Sequence, residues 1–248
     1  MANVFALKVI AHRGASGNAP ENTLAAIKLA WELNADGVEI DLRLSADNCP
    51  ILFHDSDLQR IASVNLPIRH QTVESLNQYD VGQWKDPKWK GERIPTLDTV
   101  IAAIPDDKTL LLELKEGPEL IPAIERTLVS ISVNWNNLWF MSFDLPTVNR
   151  VKSMHPNWQT LLLVDNPGID PLRELSSKIV DAENVRADGL SLANSWFETL
   201  QLIPSLNYSQ LLLSVWTVND AVDAQNWASL GAKMITTDFP AQISASLR

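Results

Sequence analysis

The sequence has few of the features that mark several common protein classes. It contains one cysteine, Cys49, so an internal disulfide is impossible and a reducing compartment is indicated. No window approaches the roughly 18 uninterrupted apolar residues of a membrane span. Residues 1–10 lack the charged start and long apolar core of a signal peptide, and they predict a first strand instead. These absences predict a cytoplasmic protein with no membrane span.

Positive charge is also scarce. The chain has 20 Lys and Arg against 30 Asp and Glu, a net charge of −10, and no Lys/Arg-rich run. This balance argues against nucleic acid or an anionic membrane surface as the partner. An anionic small-molecule substrate is still compatible with it, because a bound metal ion can reverse the local field.

Short runs rich in Val, Ile and Leu alternate with helical patterns as far as the C-terminus. Strands are predicted at Leu7–Ala11, Gly37–Leu42, Thr109–Leu114, Leu138–Phe143, Gln159–Val164, Gly189–Leu192, Leu211–Val218 and Lys233–Thr237. Helices are predicted at Glu21–Leu33, Thr96–Ile104, Pro118–Ser130, Leu145–Met154, Pro171–Val180, Ser195–Ile203, Asp220–Leu230 and Pro240–Leu247.

This alternation over 248 residues predicts an α/β protein with a closed (β/α)8 TIM barrel as a single domain, residues 1–248. The chain is 46% hydrophobic, which is enough for a sizeable core. An open, doubly wound sheet is the alternative. It is disfavoured because no glycine-rich G-x-G-x-x-G turn follows the first strand.

Residues 45–95 interrupt the alternation, because this segment is too long for one connection between a strand and a helix. It contains an additional predicted strand, Pro50–Phe53, followed by a polar stretch rich in turn residues. Long insertions on a barrel usually lie at the catalytic face. We therefore expect an insertion at about 45–95, after the second strand, that shapes access for a substrate.

Three carboxylates lie on predicted barrel strands. Glu39 and Asp41 are two residues apart, so alternation puts both on the inner face, and Glu113 has the same position on the next barrel strand. Buried carboxylates are costly unless a cation compensates them, and a hard divalent ion prefers oxygen ligands. An ion pair, such as Glu39 with Lys115, is the alternative for either strand alone. Taken together, the three acids favour a metal.

His12 and His54 each end a strand-like run, and each is followed by another polar residue, Arg13 or Asp55. A hydrolysis that activates a hydroxyl and releases an alkoxide needs a base and an acid. Two histidines with a pKa near neutral meet both needs. Arg13 offers a planar fork to phosphate oxygens, and a salt bridge to an acid of the cluster can coexist with that role.

Two further features have more than one interpretation. Trp216 closes the seventh strand and forms either an apolar wall for the alcohol part of a substrate or part of the barrel core. Pro20-Glu21-Asn22-Thr23 is explained as a helix start, with Asn18 or Thr23 as the N-cap. Asn22 is then available to brace the loop that precedes it.

The order and spacing of these motifs resemble the glycerophosphodiester phosphodiesterase family over nearly the whole chain. The motifs are His12-Arg13-Gly14, Pro20-Glu21-Asn22-Thr23, Val38-Glu39-Ile40-Asp41, Phe53-His54-Asp55, Ile94-Pro95-Thr96-Leu97, Leu112-Glu113-Leu114-Lys115, Ser142-Phe143, Trp216-Thr217-Val218-Asn219 and Thr236-Thr237-Asp238-Phe239-Pro240. The family has its characteristic insertion where residues 45–95 lie. Asn48-Cys49 departs from the Asp-Gly turn of the family, but Asn tolerates a left-handed turn, so we expect the hairpin to be kept.

The resemblance implies a (β/α)8 barrel that hydrolyses glycerophosphodiesters to sn-glycerol 3-phosphate and an alcohol. It implies a divalent metal, Mg2+ or Ca2+, bound by Glu39, Asp41 and Glu113. It also implies that His12 and His54 form the acid–base pair and that Arg13 and Lys115 hold the phosphate. We expect His12 on the attacking side and His54 on the leaving side.

Three other functions compete with this one. A lysophospholipase D-like enzyme would use the same site but needs an apolar groove or a membrane-docking face, and no amphipathic basic helix supplies one. A non-catalytic barrel that binds phosphodiesters is disfavoured, because both histidines, all three acids and Lys115 are present. A metal amidohydrolase would need two ligand histidines close together on the first strand, where His12 stands alone.

Overall fold

The computed structural model describes residues 6–129, 137–201 and 210–247. The strands in these ranges are β1 (Lys8–His12), β2 (Gly37–Leu44), β3 (Pro50–Leu52), β4 (Thr109–Leu114), β5 (Leu138–Ser142), β6 (Gln159–Val164), β7 (Gly189–Ala193), β8 (Leu212–Trp216) and β9 (Met234–Thr237). Eight of them form a parallel barrel that β1 closes by pairing with both β2 and β9, and β3 lies antiparallel on β2. The predicted TIM barrel is therefore confirmed, and the open sheet is wrong.

Helices lie between the strands as the sequence patterns predict. They are α1 (Leu24–Glu32), α2 (Gln59–Ala62), α3 (Val73–Leu76), α4 (Leu97–Ile101), α5 (Ile121–Val129), α6 (Leu145–Met154), α7 (Pro171–Asn184), α8 (Phe197–Gln201), α9 (Ala221–Ser229) and α10 (Pro240–Ser246). Ser130 and Leu202–Ile203, the ends of two predicted helices, and residues 1–5 lie outside the described residues. Among the helices described, none combines the length and apolar character needed to cross a membrane.

Several helix boundaries differ from the sequence pattern, and two of them have clear local reasons. The first helix begins at Leu24 instead of Glu21, because Thr23 is the N-cap and its Oγ1 accepts a hydrogen bond from the Ala26 N–H at 3.2 Å. The seventh helix runs past Val180 to Asn184. Its last turn is largely polar, so the sequence pattern does not show that the buried face continues there through Ala182.

Alternation along the strands separates the barrel interior from the layer that faces the helices. On β4, Leu112 and Leu114 belong to the core under the helices, whereas Leu111 belongs to the interior and Glu113 lines a cleft at the barrel mouth. The interior cluster consists of Ile10, Leu111, Trp139, Met141, Leu161, Leu163 and Met234. Glu113 therefore lies beyond this apolar cluster, towards the end of the barrel where active sites of TIM barrels lie.

The segment between β2 and α4 has an apolar cluster of its own. The cluster consists of Ile51, Phe53, Leu58, Ile61, Ile68, Leu76, Val81 and Ile94. Asn48 takes the left-handed φ of 56° just before β3, so the expected hairpin is present. The description of residues 1–248 as one domain with an insertion at about 45–95 stays a prediction.

Candidate active site

The three predicted metal ligands converge, Glu39 and Asp41 from the middle of β2 and Glu113 from near the carboxyl end of β4. Glu39, Asp41 and Glu113 are 2%, 0% and 8% exposed, and one carboxylate oxygen of each lies within 4.8 Å of those of the other two. Asn22 braces the middle acid. Its Nδ2 donates to Asp41 Oδ2 at 2.7 Å, and its Oδ1 accepts from the Asp41 N–H at 3.1 Å. The motif Pro20-Glu21-Asn22-Thr23 is thereby attached to the acid cluster through Asn22.

Two cations lie against the acid cluster: Arg13 pairs with one of its acids, as considered from the sequence, and Lys115 pairs with acids other than the one suggested. Lys115 Nζ lies 3.1 Å from Asp41 Oδ1 and 2.6 Å from Glu113 Oε1, whereas the sequence suggested Glu39 as its partner. Arg13 Nε lies 3.1 Å from Asp41 Oδ2. The two cations therefore converge on Asp41, in the centre of the cluster.

Glu39 is the least compensated member of the cluster. Its Oε2 accepts from the Arg13 N–H at 3.1 Å, but its buried Oε1 has no hydrogen-bond partner among the described residues. Burial and the neighbouring carboxylates Asp41 and Glu113 raise the pKa of Glu39 well above its usual range. Such an orphaned, buried oxygen among acids fits a divalent cation, which needs oxygen ligands and supplies the missing positive charge.

The pKa values of Glu113 and Asp41 are shifted in opposite directions. Burial and the charge of Asp41 raise the pKa of Glu113 to about 7, despite the contact with Lys115. Burial alone would also raise the pKa of Asp41, but the charges of Arg13 and Lys115 outweigh it and lower that pKa. One acid is thus neutralised by protein cations, and two still require compensation.

His12 ends β1, and a carboxylate from the other end of the chain holds it. Its Nδ1 lies 2.7 Å from Oδ1 of Asp238, which follows β9. Because a carboxylate only accepts, Nδ1 carries the proton and Nε2 is left for chemistry. Asn219 Nδ2 and Ser16 Oγ also donate to Asp238, at 2.7 and 2.9 Å. Burial would raise the pKa of Asp238, but the hydrogen bonds from His12, Asn219 and Ser16 lower it to about 2.

His54 follows β3 and belongs to a continuous series of charged contacts. Its Nδ1 lies 2.7 Å from Asp55 Oδ1, and Arg60 Nε donates to Asp55 Oδ2 at 2.7 Å. Arg60 Nη2 also donates to Glu21 Oε1 at 2.7 Å, and the same oxygen accepts from Arg13 Nη1 at 2.9 Å. The guanidinium of Arg60 thus links Asp55, which orients His54, to Glu21, which orients Arg13.

The backbone after β1 has an unusual conformation that explains His12-Arg13-Gly14. Arg13 has a left-handed φ of 57°, which a non-glycine residue adopts only when its surroundings compensate the strain. Here the compensation is the ion pairs of its side chain with Glu21 and Asp41. Gly14 has φ 80°, and a Cβ there would lie 2.6 Å from the backbone carbon of Ala26. Glycine is therefore required where the loop touches α1.

Two clefts meet at His12 and Arg13. The carboxylate cleft, of about 460 Å³, is lined by His12, Arg13, Glu39, His54, Glu113, Lys115, Met141, Phe143, Leu163, Trp216 and Thr236. The insertion cleft, of about 620 Å³, is lined by His12, Arg13, Ser16, Gly17, Glu21, Trp84, Lys85, Asp238 and Phe239. Asp41 lies beneath the carboxylate cleft, in contact with Arg13 and Lys115. All the residues predicted for the site are thus brought together at one end of the barrel.

Trp216 combines the two roles considered for it. It packs on the interior cluster and also lines the carboxylate cleft. Its ring meets that of Phe143 edge-on, with centroids 5.6 Å apart, and its Nε1 donates to the Ser191 carbonyl oxygen at 3.1 Å. The two rings form an ordered apolar wall opposite the acids.

Sequence reasoning did not assign site roles to Glu21, Asp55, Arg60, Asn219 or Asp238. A usable signal existed for two of them, since Asp55 adjoins His54 and Asp238 follows a predicted strand at its carboxyl end. Glu21 was explained by the helix start alone, and Arg60 lies on the short helix α2 of the insertion, where no pattern marks it.

Comparisons with known proteins agree with this geometry. The model of the glycerophosphoryl diester phosphodiesterase family matches residues 12–242. A glycerophosphodiester phosphodiesterase of Caldanaerobacter subterraneus subsp. tengcongensis is 32% identical over 237 residues, which cover 94% of each chain.

Solved structures agree as well. A phosphodiesterase of Oleispira antarctica, in complex with the product sn-glycerol-3-phosphate, superposes with a TM-score of 0.86 and 30% identity, covering 98% of this chain and 97% of the other. A glycerophosphodiester phosphodiesterase of Thermotoga maritima superposes with a TM-score of 0.78 and 28% identity, covering 98% of both chains. The resemblance seen in the sequence motifs is confirmed, and the chain belongs to the glycerophosphoryl diester phosphodiesterase family.

Proposed function

We propose that the protein hydrolyses glycerophosphodiesters to sn-glycerol 3-phosphate and an alcohol, with a divalent ion, Mg2+ or Ca2+, held by Glu39, Asp41 and Glu113. The observation that carries this proposal is the convergence of three buried acids, two histidines and two cations on one cleft. The ion would polarise a phosphoryl oxygen and offset its negative charge. The Oleispira antarctica structure, which contains sn-glycerol-3-phosphate, supports a substrate of this size and charge.

Arg13 and Lys115 would bind the phosphoryl group. Both line the carboxylate cleft, and both are held by ion pairs to Asp41, so their orientation is set before a substrate arrives. Prearranged donors of this kind stabilise the charge that develops on phosphoryl oxygens in the transition state. Arg13 can also present two parallel N–H groups, which lysine cannot.

His12 and His54 would form the acid–base pair. In each, a carboxylate lies 2.7 Å from Nδ1, so the other ring nitrogen is the one free to exchange a proton with the substrate. One histidine takes the proton of the attacking hydroxyl, which belongs to water or to the adjacent glycerol carbon in a route through a cyclic phosphate. The other gives a proton to the leaving alkoxide.

The proposal is tested by assaying the purified enzyme, with Mg2+ or Ca2+ added, over glycerophosphodiesters with different head groups. Release of sn-glycerol 3-phosphate, detected with a coupled dehydrogenase, is the expected result. The His54→Ala variant serves as a background control. Absence of sn-glycerol 3-phosphate from every member would overturn the proposal. Cleavage of lysophosphatidylcholine in place of the glycerophosphodiesters would favour the lysophospholipase D-like function.

A further inference from the structure

The proposed function leaves open where the two arms of the diester lie. A phosphodiester has two ester arms on one phosphorus, and here two clefts meet at two side chains, His12 and Arg13. A phosphoryl group held by Arg13 at this junction sends one arm into each cleft. The question is therefore which cleft receives the glycerol arm and which the head group.

The carboxylate cleft suits the glycerol arm. Thr236 lines this cleft and is 1% exposed, yet among the described residues its Oγ1 has no hydrogen-bond partner. A buried, unpaired hydroxyl costs free energy unless a ligand completes it, and a glycerol hydroxyl can do so. Trp216 and Phe143 offer an apolar wall on which the carbon skeleton of a glycerol arm can pack.

The insertion cleft is built differently, mainly from loops and the insertion. Trp84 is 40% exposed and is oriented by its Nε1, which donates to the Val81 carbonyl oxygen at 2.8 Å. Lys85 Nζ lies 5.9 Å from the centre of the Trp84 ring and donates to the Ser16 carbonyl oxygen at 2.6 Å. The side chain of Lys85 thus joins the insertion to the loop after β1, directly at the cleft.

Lys85 differs from the other charged residues of the insertion cleft. Arg13 pairs with Glu21, and Asp238 pairs with His12, whereas Lys85 has no carboxylate partner in the part of the chain that the structure describes. An ammonium group has three N–H donors, and only one of those of Lys85 is used, by Ser16. Two charged donors therefore remain available to whatever occupies the cleft.

We propose that the insertion cleft binds the leaving alcohol, and that Lys85 makes the enzyme prefer hydroxyl-rich or anionic head groups over quaternary ammonium head groups. The unused donors of Lys85 bind hydroxyl or carboxylate oxygens, while its charge repels a trimethylammonium group. Trp84 gives the arm a flat apolar contact. His12 borders both clefts and His54 only the carboxylate cleft, so the alcohol departs beside His12, which reverses the sides expected from the sequence. This inference rests on the proposed function.

The test compares kcat/KM for glycerophosphoglycerol and for glycerophosphocholine in wild type and in Lys85→Met. The wild type should prefer glycerophosphoglycerol, and the substitution should lower the ratio of the two values about tenfold, the size of one charge-assisted hydrogen bond. Lys85→Arg, which keeps the charge, should keep most of the preference. The inhibition constant of sn-glycerol 3-phosphate, which has no head group, should change less than about twofold in either variant.

Two further variants separate the clefts. Lys88→Met is the matched control, because Lys88 lies over Trp89 at 5.1 Å in the same insertion but lines neither cleft. It should leave the substrate ratio unchanged. Thr236→Val should weaken inhibition by sn-glycerol 3-phosphate and leave the ratio unchanged.

An unchanged ratio in Lys85→Met, or an equal loss on both substrates together with weaker inhibition by sn-glycerol 3-phosphate, would overturn the head-group assignment while the proposed function stands. A wild-type enzyme that cleaves no glycerophosphodiester would overturn the proposed function, and this inference with it.

Discussion

The two sides of the barrel mouth have opposite chemistry. The strands β1, β2 and β4 end in charged side chains that hold one another through ion pairs, from Arg13 to Lys115. Across the cleft, β5, β6 and β8 contribute Met141, Leu163 and Trp216, which are held by packing and ring contacts. The first side can stabilise charge and move protons, whereas the second can only fit shape. We therefore expect substitutions on the two sides to affect catalysis and substrate fit to different degrees.

The two sides are also held in place by different kinds of contact. The charged side depends on ion pairs and hydrogen bonds, some between neighbours such as His54 and Asp55 and some between distant residues such as His12 and Asp238. The apolar side depends on packing inside the barrel and on ring contacts, such as that of Trp216 with Phe143. Substitutions on the charged side should lower kcat, and substitutions on the apolar side should raise KM.

The largest expected effect comes from the histidines. His12→Ala and His54→Ala should each lower kcat by about 10²–10⁴, the usual contribution of acid–base catalysis. Steady-state kinetics on the best glycerophosphodiester, at saturating divalent ion, gives the values. A variant that keeps wild-type kcat removes its histidine from the mechanism.

The carboxylates behind the histidines should matter less. Asp55→Asn and Asp238→Asn should each lower kcat about 10–100-fold, because an amide no longer fixes the ring orientation and the protonated nitrogen of His54 or His12. The same kinetic assay measures the loss. If the double variant loses the full kcat factor of His54→Ala in addition to that of Asp55→Asn, the two residues do not act as one unit.

Arg60 should have a smaller effect that divides between the two kinetic constants. Arg60→Gln breaks contacts to Asp55 and Glu21, so kcat should fall and KM should rise, with kcat/KM reduced about tenfold in total. Arg60→Lys should recover part of the loss.

The matched control for Arg60 is Arg69→Gln. Arg69 makes comparable contacts within the insertion, to the Ser45 carbonyl oxygen and to Asn48 Oδ1, and these contacts include no proposed site residue. It should stay within about twofold of wild type. Equal losses in the two arginine variants would mean that Arg60 serves only to attach the insertion.

The smallest effect should come from the apolar side. Trp216→Ala should raise KM about fivefold, or ~1 kcal/mol, for the loss of one apolar contact, while kcat stays close to wild type. Trp89→Ala, in the insertion and outside both clefts, is the control. A Trp216→Ala variant that loses kcat instead of affinity would contradict the division between the two sides.

Much of the charged side could be predicted from the sequence, because it follows from local rules. Alternation along a strand puts Glu39 beside Asp41 on the inner face, and a barrel brings them next to Glu113. The carboxylates that orient the histidines could not be predicted in the same way. Asp238 is 226 positions from His12, and only closure of the barrel between β1 and β9 makes them neighbours.

The insertion cleft was likewise beyond sequence reasoning. Lys85 and Ser16 are 69 positions apart, and their contact depends on how the insertion packs over the loop after β1. The pattern around Trp84 and Lys85 predicted only turns. No periodicity specifies such packing, because turn-rich segments have none.

The central claim is that the acids of the charged side hold a divalent ion that the reaction requires. The most direct measurement is titration of Mg2+ and Ca2+ into exhaustively chelated enzyme by calorimetry, with activity followed on the same samples. We predict one binding event that restores lost activity in wild type and is weakened strongly in Glu39→Gln and Glu113→Gln. Full activity after chelation, or equal binding in these variants, would contradict the claim.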